Sequence, residues 1–260
     1  MKDFLKEIVE YKKELIGRKK ESLLALKKKL GQGTYKCNQV FKKSISQKGP
    51  IHLIAEIKKA SPSQGLIRKD FDLLSIAKTY EQNGAAALSI LTEDKHFLGQ
   101  PSYVTQVNGH VHLQLLMKDF FIDELQIYEA RTLGANAILL IAAILSDDQL
   151  RQFKKAADIL DMDCLFEVHD ERELKRVLQA GAEMIGVNNR DLRSFEVDLT
   201  TCKKLIPLIP KDKVIVAESG IQTYKDVKRM AALGAHAVLI GETFMRAEDI
   251  ASKMREVMHG

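Results

Sequence analysis

Short apolar runs recur along the chain from residue 50 onward, and helical patterns fill the intervals between them. The runs predict strands at 52–58, 86–91, 113–117, 137–141, 163–167, 184–188, 214–217 and 237–240. Their near-continuous apolar character is what a strand covered on both faces requires. Apolar residues at helical spacing predict helices at 73–83, 124–134, 147–160, 171–180, 199–206, 223–233 and 247–258, with room for another in the 93–112 connection. Eight strands alternating with helices argue for an α/β fold with a parallel sheet. Eight is also the number that closes into a (β/α)8 TIM barrel.

A second pattern has a longer period. Gly84-Ala85, Gly134-Ala135, Gly181-Ala182 and Gly234-Ala235 each end a helical segment, with 50, 47 and 53 residues from one glycine to the next. Glycine just past a helix supplies the left-handed conformation that lets the chain reverse. The mark precedes the second, fourth, sixth and eighth strands, so the unit is a doubled βα step. Four such units make an eightfold barrel, and an open sheet is the alternative. No Gly/Pro/Ser linker divides the chain. Residues 1–260 are therefore expected to form a single (β/α)8 barrel domain, with 1–48 as a helical N-terminal extension ended by the turn signal Gly49-Pro50.

In that extension apolar residues recur at Phe4, Ile8, Tyr11 and Leu15, then at Leu23, Leu24 and Leu30, which predicts a stripe packed on the barrel. Charge complicates the reading. The chain carries a net +5, but residues 1–48 hold 14 Lys/Arg against 5 Asp/Glu, while the remainder holds 26 against 30. Basic helices serve nucleic acids, membrane surfaces or anionic substrates. The apolar stripe favours a packed helix with a solvated face, so no nucleic-acid or membrane partner is expected. The longest apolar run, Ala137 to Leu145, has nine residues, against the ~18 needed to span a bilayer. The charged N-terminus does not resemble a signal peptide. Cys37, Cys164 and Cys202 are odd in number and far apart, fitting neither a disulfide framework nor a zinc site. Reduced thiols in a cytoplasmic protein are expected.

Five charged residues at the ends of apolar runs carry the chemical signal: Glu56 and Lys58, Lys118, Glu167 and Glu218. Burying a charge without a partner is costly, so four segments ending this way suggest one shared polar site at the barrel mouth, where active sites of this fold lie. Glu56 and Lys58 share a strand face, either as a structural ion pair or as site residues. Lys118 can be a general acid if desolvation lowers its pKa, and Glu167 a base if desolvation raises its own. The alternatives are a surface lysine and a capping or ion-paired glutamate. The polar stretch from Lys58 to Gly65 reads as a loop over the mouth. Asn188-Asn189-Arg190-Asp191 offers an orienting amide and a planar cation, or a turn. Glu218-Ser219-Gly220-Ile221 and Ile240-Gly241-Glu242-Thr243 follow the seventh and eighth strands, where this fold often holds phosphate. There is no P-loop and no HExxH motif. His110 and His112 alone make a poor metal site, since no acid or Cys stands near them.

The segments Ile54-Ala55-Glu56-Ile57-Lys58-Lys59-Ala60-Ser61-Pro62-Ser63, Leu91-Thr92-Glu93 with Phe97-Leu98-Gly99, Lys118-Asp119-Phe120, Phe166-Glu167-Val168-His169, Gly186-Val187-Asn188-Asn189-Arg190-Asp191-Leu192 and Ala217-Glu218-Ser219-Gly220-Ile221 resemble the indole-3-glycerol phosphate synthase family, in order, from about residue 4 to the end. The resemblance implies a carboxy-lyase of tryptophan biosynthesis, with no cofactor or metal. Its small-molecule substrate is 1-(2-carboxyphenylamino)-1-deoxyribulose 5-phosphate, whose ring closes with loss of CO2 and water. It further implies Lys118 as general acid, Lys58 as a cation that holds the substrate carboxylate or phosphate and supplies a proton in dehydration, Glu167 as general base and Glu56 as the residue that positions both lysines. Asn188 and Arg190 would steady the carboxylate and hydroxyls, with Glu218 and Ser219 at the rim. Ser61, Gly220, Gly241 and Glu242 would bind phosphate, and Phe120 the aromatic ring. Met117, Gln100 and Glu242 depart from residues frequent in the family, and none removes an acid or base. Other readings are another sugar-phosphate barrel, such as a phosphoribosylanthranilate isomerase or a Schiff-base aldolase, and a non-catalytic phosphate-binding barrel. Length leaves no room for a second barrel, and a monomer or weak homo-oligomer is expected.

Overall fold

A computed structural model describes residues 4–31, 33 and 38–260. The chain forms, in order, β1 (His52–Ile57), a hairpin of β2 (Ala60–Ser61) and β3 (Gly65–Leu66), then β4 (Ala87–Leu91), β5 (Gln114–Lys118), β6 (Ala137–Ile141), β7 (Asp163–Val168), β8 (Met184–Asn188), β9 (Val214–Glu218) and β10 (Ala237–Ile240). Leaving the hairpin aside, neighbouring strands pair in parallel and β10 returns to β1, with Leu239 opposite Ile54, to close an eight-stranded barrel. The helices are α1 (Phe4–Leu30), α2 (Val40–Ser44), α3 (Leu73–Gln82), α4 (Ser102–Asn108), α5 (Leu125–Leu133), α6 (Asp147–Ile159), α7 (Glu171–Gln179), α8 (Thr200–Leu205), α9 (Tyr224–Leu233), α10 (Glu242–Met245) and α11 (Ile250–His259).

The Gly-Ala marks work as helix stops. Gly134 and Gly234 sit at φ 96° and 101°, and the N–H of the alanine after each reaches back to the carbonyl of Ala130 or Met230. Gly84-Ala85 and Gly181-Ala182 repeat the arrangement, with bonds to Tyr80 and Val177. These glycine-stopped turns satisfy carbonyls that a helix end otherwise leaves open. Differences from the sequence reading are local. The strand expected at 113–117 runs one residue later and takes in Lys118. The last helix starts at Ile250, because the Asp249 side chain accepts the Ser252 N–H at 3.0 Å. The four-residue α10 is too short to leave a periodic signal.

Strand alternation sorts the side chains. Leu53, Ala55 and Ile57 of β1 face the outer helices, as do Leu88, Leu115 and Phe166. Ile54, Ala87, Leu116, Leu139, Leu165, Val216 and Leu239 face inward and fill the barrel. Its N-terminal end is plugged by α2 and the residue that caps it, with Phe41 and Ile45 fully buried against that inner cluster. The Asp163 carboxylate accepts the Lys42 N–H at 2.9 Å and so ties the plug to the start of β7. Truncation here opens a cavity that rigid strands cannot collapse. Phe41→Ala is expected to cost about 3–5 kcal/mol, readable as a lower urea midpoint.

The helix α1, about 40 Å long by its rise per residue, lies along α5. Ile16 and Leu23 pack on Leu125, with Lys27–Glu124 and Lys19–Glu129 ion pairs at 2.7 and 3.3 Å beside them. The buried stripe is not quite the expected one. It is Phe4, Leu5, Ile8, Lys12, Ile16 and Leu23, while Tyr11 and Leu15 are half-buried and Leu24 is exposed. A lysine stands in the apolar stripe because its ammonium meets Asp119 at 2.5 Å, a partner the sequence pattern does not reveal. Among the described residues no helix is long and apolar enough to cross a membrane. Cys164 and Cys202 are free thiols whose pKa values burial pushes up. Cys37 lies outside the described residues.

Candidate active site

At the C-terminal ends of the strands the inward positions turn from apolar to charged. Register brings distant residues to one level. Leu91 lies opposite Lys118, Ile141 opposite Glu167 and Asn188 opposite Glu218. The Lys118 Nζ stands among three carboxylates, 2.6 Å from Glu218 Oε2, 3.7 Å from Glu167 Oε2 and 3.8 Å from Glu56 Oε1. The other Glu56 oxygen holds Lys58 Nζ at 2.7 Å. The sequence left an ion pair and a site role as alternatives for Glu56 and Lys58. In the structure they are paired and both border the cavity above.

Two glycines make room for this cluster. A Cβ on Gly186 would lie 2.0 Å from Glu218 Oε1, and one on Gly241 would lie 2.4 Å from Glu56 Oε2. Both carboxylates therefore occupy space left by a glycine, one within β8 and one just past the end of β10. Gly186→Ala is expected to displace Glu218 from Lys118 and to lower stability by about 1–3 kcal/mol, the usual cost of overpacking, measured by urea unfolding.

The electrostatics run against the simple burial argument. Burial pulls the Lys118 pKa down, but Glu218, Glu56 and Glu167 outweigh it and hold it above the ordinary lysine value. Burial pushes Glu167 up, but His169 and Lys118, with Asn188, bring it down to about 2. Lys118 and Glu167 thus shift opposite to the sequence expectation, which saw desolvation and not the neighbours. Burial wins at Glu218, which is raised to about 7 despite Lys118.

Above the cluster opens a cavity of about 900 Å³. Phe4, Phe97, Phe120, Leu192 and Phe195 line an apolar part of its wall. The Phe4 ring meets Phe195 and Phe120 edge-on at 5.0 and 6.3 Å. A polar part is lined by Ser61, Ser219, Gly220, Gly241 and Glu242, with the cations Arg190, Arg246 and Lys253. Ser61 Oγ is buried and lacks a hydrogen-bond partner. Ser219 and Gly220 are both left-handed, at φ 65° and 77°, and a Cβ at 220 would strike Val197. Arg190 donates to the Phe195 carbonyl at 3.0 Å and faces Glu242 at 3.4 Å. Asn188 lines the cavity and accepts the Arg190 N–H at 2.9 Å, while Asn189 turns away and clamps the Glu218 and Ser219 carbonyls.

Every residue to which the sequence gave a role in the site lines this cavity except Glu218, which lies buried behind Lys118 rather than at the rim. Sequence reasoning missed Phe4, Lys12, His169, Arg246 and Lys253. Phe4 and Lys12 belong to a helix that the sequence packs on the barrel without showing which part of the barrel it meets, and Arg246 and Lys253 look like ordinary surface cations. His169 was legible in part, since it shares strand parity with Glu167. His110 and His112 sit in the connection before β5, where His112 pairs with Glu81 at 3.4 Å. Among the described residues no group of three or more His, Cys, Asp and Glu could hold a metal ion.

Comparison with known proteins agrees with this geometry. The family model described as indole-3-glycerol phosphate synthase matches residues 5–257. A relative of that name from Acetivibrio thermocellus is 54% identical over 213 residues, 82% of each chain. Another, from Caldanaerobacter subterraneus subsp. tengcongensis, is 49% identical over 246 residues, 94% of each chain. A solved 3-hexulose-6-phosphate synthase from Salmonella typhimurium aligns with TM-score 0.65 over 80% of this chain and 97% of its own, but at 13% identity it shares the fold alone. With the mouth cluster, the register that builds it and relatives at about half identity all in agreement, the chain belongs to the indole-3-glycerol phosphate synthase family.

Proposed function

We propose that the mouth cavity performs the family's reaction with Lys118 as general acid and Glu167 as general base. The substrate, 1-(2-carboxyphenylamino)-1-deoxyribulose 5-phosphate, closes its pyrrole ring by attack of the carboxylate-bearing aromatic carbon on the ribulose carbonyl. The carbonyl oxygen then needs a proton, and CO2 leaves the ring carbon. Dehydration completes the indole, with hydroxide leaving as water and a proton going to a base. The supporting observation is the Lys118 ammonium among Glu56, Glu167 and Glu218, directly under a cavity with apolar and cationic walls. The raised pKa keeps Lys118 protonated at neutral pH, and transfer stays downhill because a developing sugar alkoxide is more basic than an amine.

Lys58 would meet the substrate carboxylate and then assist departure of the hydroxyl. Glu56 would position both lysines, and Glu218 would hold Lys118 protonated from behind. Ser61 and the backbone at Gly220, Gly241 and Glu242 would bind the phosphate, with Arg190 above. Phe120 and Phe4 would hold the aromatic ring. Asn188 and Ser219 would steady the hydroxyls. One chain supplies all of these groups, so a monomer suffices. The N-terminal helices would act with the barrel as one unit, and the basic charge on α1 is partly consumed by its ion pairs. The test is incubation with the substrate while following indole absorbance and CO2. Indole formed with stoichiometric CO2 is the expected result. Substrate bound without CO2 release would count against the assignment.

A further inference from the structure

Beyond the residues assigned above, one histidine has an arrangement that the roles given so far leave unused. His169 follows β7 with the same parity as Glu167, while Val168 between them packs outward. Its ring lies between two carboxylates. Nδ1 is 3.0 Å from Glu173 Oε2, and Nε2 is 3.4 Å from Glu167 Oε1. The same Glu173 oxygen accepts the His169 backbone N–H at 2.8 Å. Asp170 caps α7 by accepting the Glu173 N–H at 2.7 Å, which fixes the turn that aims Glu173 back at the ring. The His169 and Glu173 side chains are 14% and 13% exposed, so both pairs are largely withdrawn from water.

An ionised carboxylate only accepts, so the contact with Glu173 requires a proton on Nδ1. A neutral ring would then present the Nε2 lone pair to the Glu167 oxygen, which is repulsive. A second ring proton removes the conflict and gives Glu167 a charge-assisted partner. Glu167 Oε1 and His169 Nε2 are both buried with no hydrogen-bond partner, and they face each other at 3.4 Å. The two Glu167 oxygens thus have separate neighbours, Oε1 the imidazole and Oε2 the Lys118 side of the cavity.

We propose that His169, oriented by Glu173, is a positioning residue that fixes the rotation of the Glu167 carboxylate and keeps it unprotonated for proton abstraction. The proposal rests on the reading of Glu167 as the base. Glu167 is faced by Lys118, Asn188 and His169, with Glu56 and Glu218 at longer range, and His169 by Glu167, Glu173 and, more distantly, Asp191.

The test is steady-state and single-turnover kinetics over pH 2.5–9, with the acid end reached by rapid pH jump, for His169→Asn and Glu173→Gln. The expected rate loss is on the order of 10- to 100-fold, the cost of misplacing a reacting group by up to about 1 Å, with KM nearly unchanged. The acidic limb of the rate profile should move up by about one unit or more, because an opposite charge at this range shifts a carboxyl by that much. Ring nitrogen NMR of the unaltered protein should show His169 doubly protonated at pH 8, a reading that no folding defect in a variant can affect. A neutral ring at pH 8, or an unmoved acidic limb in His169→Asn, would overturn the proposal. Full activity in Glu167→Gln would instead overturn the base assignment beneath it.

Discussion

Replacing Lys118 by alanine is expected to lower turnover by roughly 10²–10⁴-fold, the range for removing a positioned acid, followed as indole fluorescence under saturating substrate. The loss should fall on turnover more than on KM, because this proton is needed only as the carbonyl oxygen gains charge. The substitution also removes the only cation within 4 Å of Glu218 among the described ion pairs. Glu56, Glu167 and Glu218 would then share a level with less compensation, and at least one would hold a proton near neutrality. A carboxyl raised in the folded state favours folding less as pH rises above its unfolded value. Because Glu218 already sits at about 7 in the parent, the variant should lose further stability relative to the parent as pH rises above about 7. A small primary amine added to Lys118→Ala should restore part of the rate, since the cavity leads directly to the vacated place. Wild-type turnover in Lys118→Ala would end the assignment. The same cluster argues against a Schiff-base lysine. Such a nucleophile needs a lowered pKa, whereas the carboxylates around Lys118 raise it. Borohydride with substrate should leave no covalent adduct on Lys118.

How much of this was legible beforehand depends on the range of the interaction. The eight strands were readable because each is apolar on both faces, a local property of four to six residues in the final structure. Glu56, Lys118 and Glu167 were readable because a charge that ends such a run needs a special place. Their mutual distances were not, since these come from strand register across the closed barrel. The errors followed from that gap. Burial alone gives the wrong direction for Lys118 and Glu167, and only Glu218, whose burial outweighs its cation, follows the simple rule. Lys12 shows the same limit at the N-terminus. Its partner Asp119 also accepts from the Thr92 hydroxyl at 2.6 Å and the Phe120 N–H at 2.7 Å. A lysine on α1 thereby helps set the turn that follows Lys118, through contacts more than a hundred residues apart in sequence. Gly186 and Gly241 were visible as glycines, but the sequence could not show which carboxylates fill the space beside them.

Glu167→Gln is expected to be nearly as damaging as Lys118→Ala, with turnover again reduced roughly 10²–10⁴-fold. The amide keeps the shape and can still face Asn188, but it cannot take the proton released as the pyrrole aromatises. If ring closure is intact, the variant should accumulate a decarboxylated species that has not dehydrated, so CO2 release in a single turnover should outrun indole formation. Equal loss of both would place Glu167 before decarboxylation and refute its role as the late base. The substitution also changes how stability depends on pH. His169 is raised from 6.5 to about 10, with burial opposing Glu167 and Glu173. Its contribution to stability is fully present below pH 6.5 and is lost as pH rises toward 10. Without the Glu167 charge, that alkaline loss should shrink, so the two proteins should converge in stability as pH rises. Glu167, lowered from 4.5 to about 2, stabilises the parent above pH 4.5 and loses that contribution as pH falls, so the proteins should also converge in acid. The greatest difference in urea midpoint is thus expected between about pH 4.5 and 6.5, where both members of the buried pair are charged.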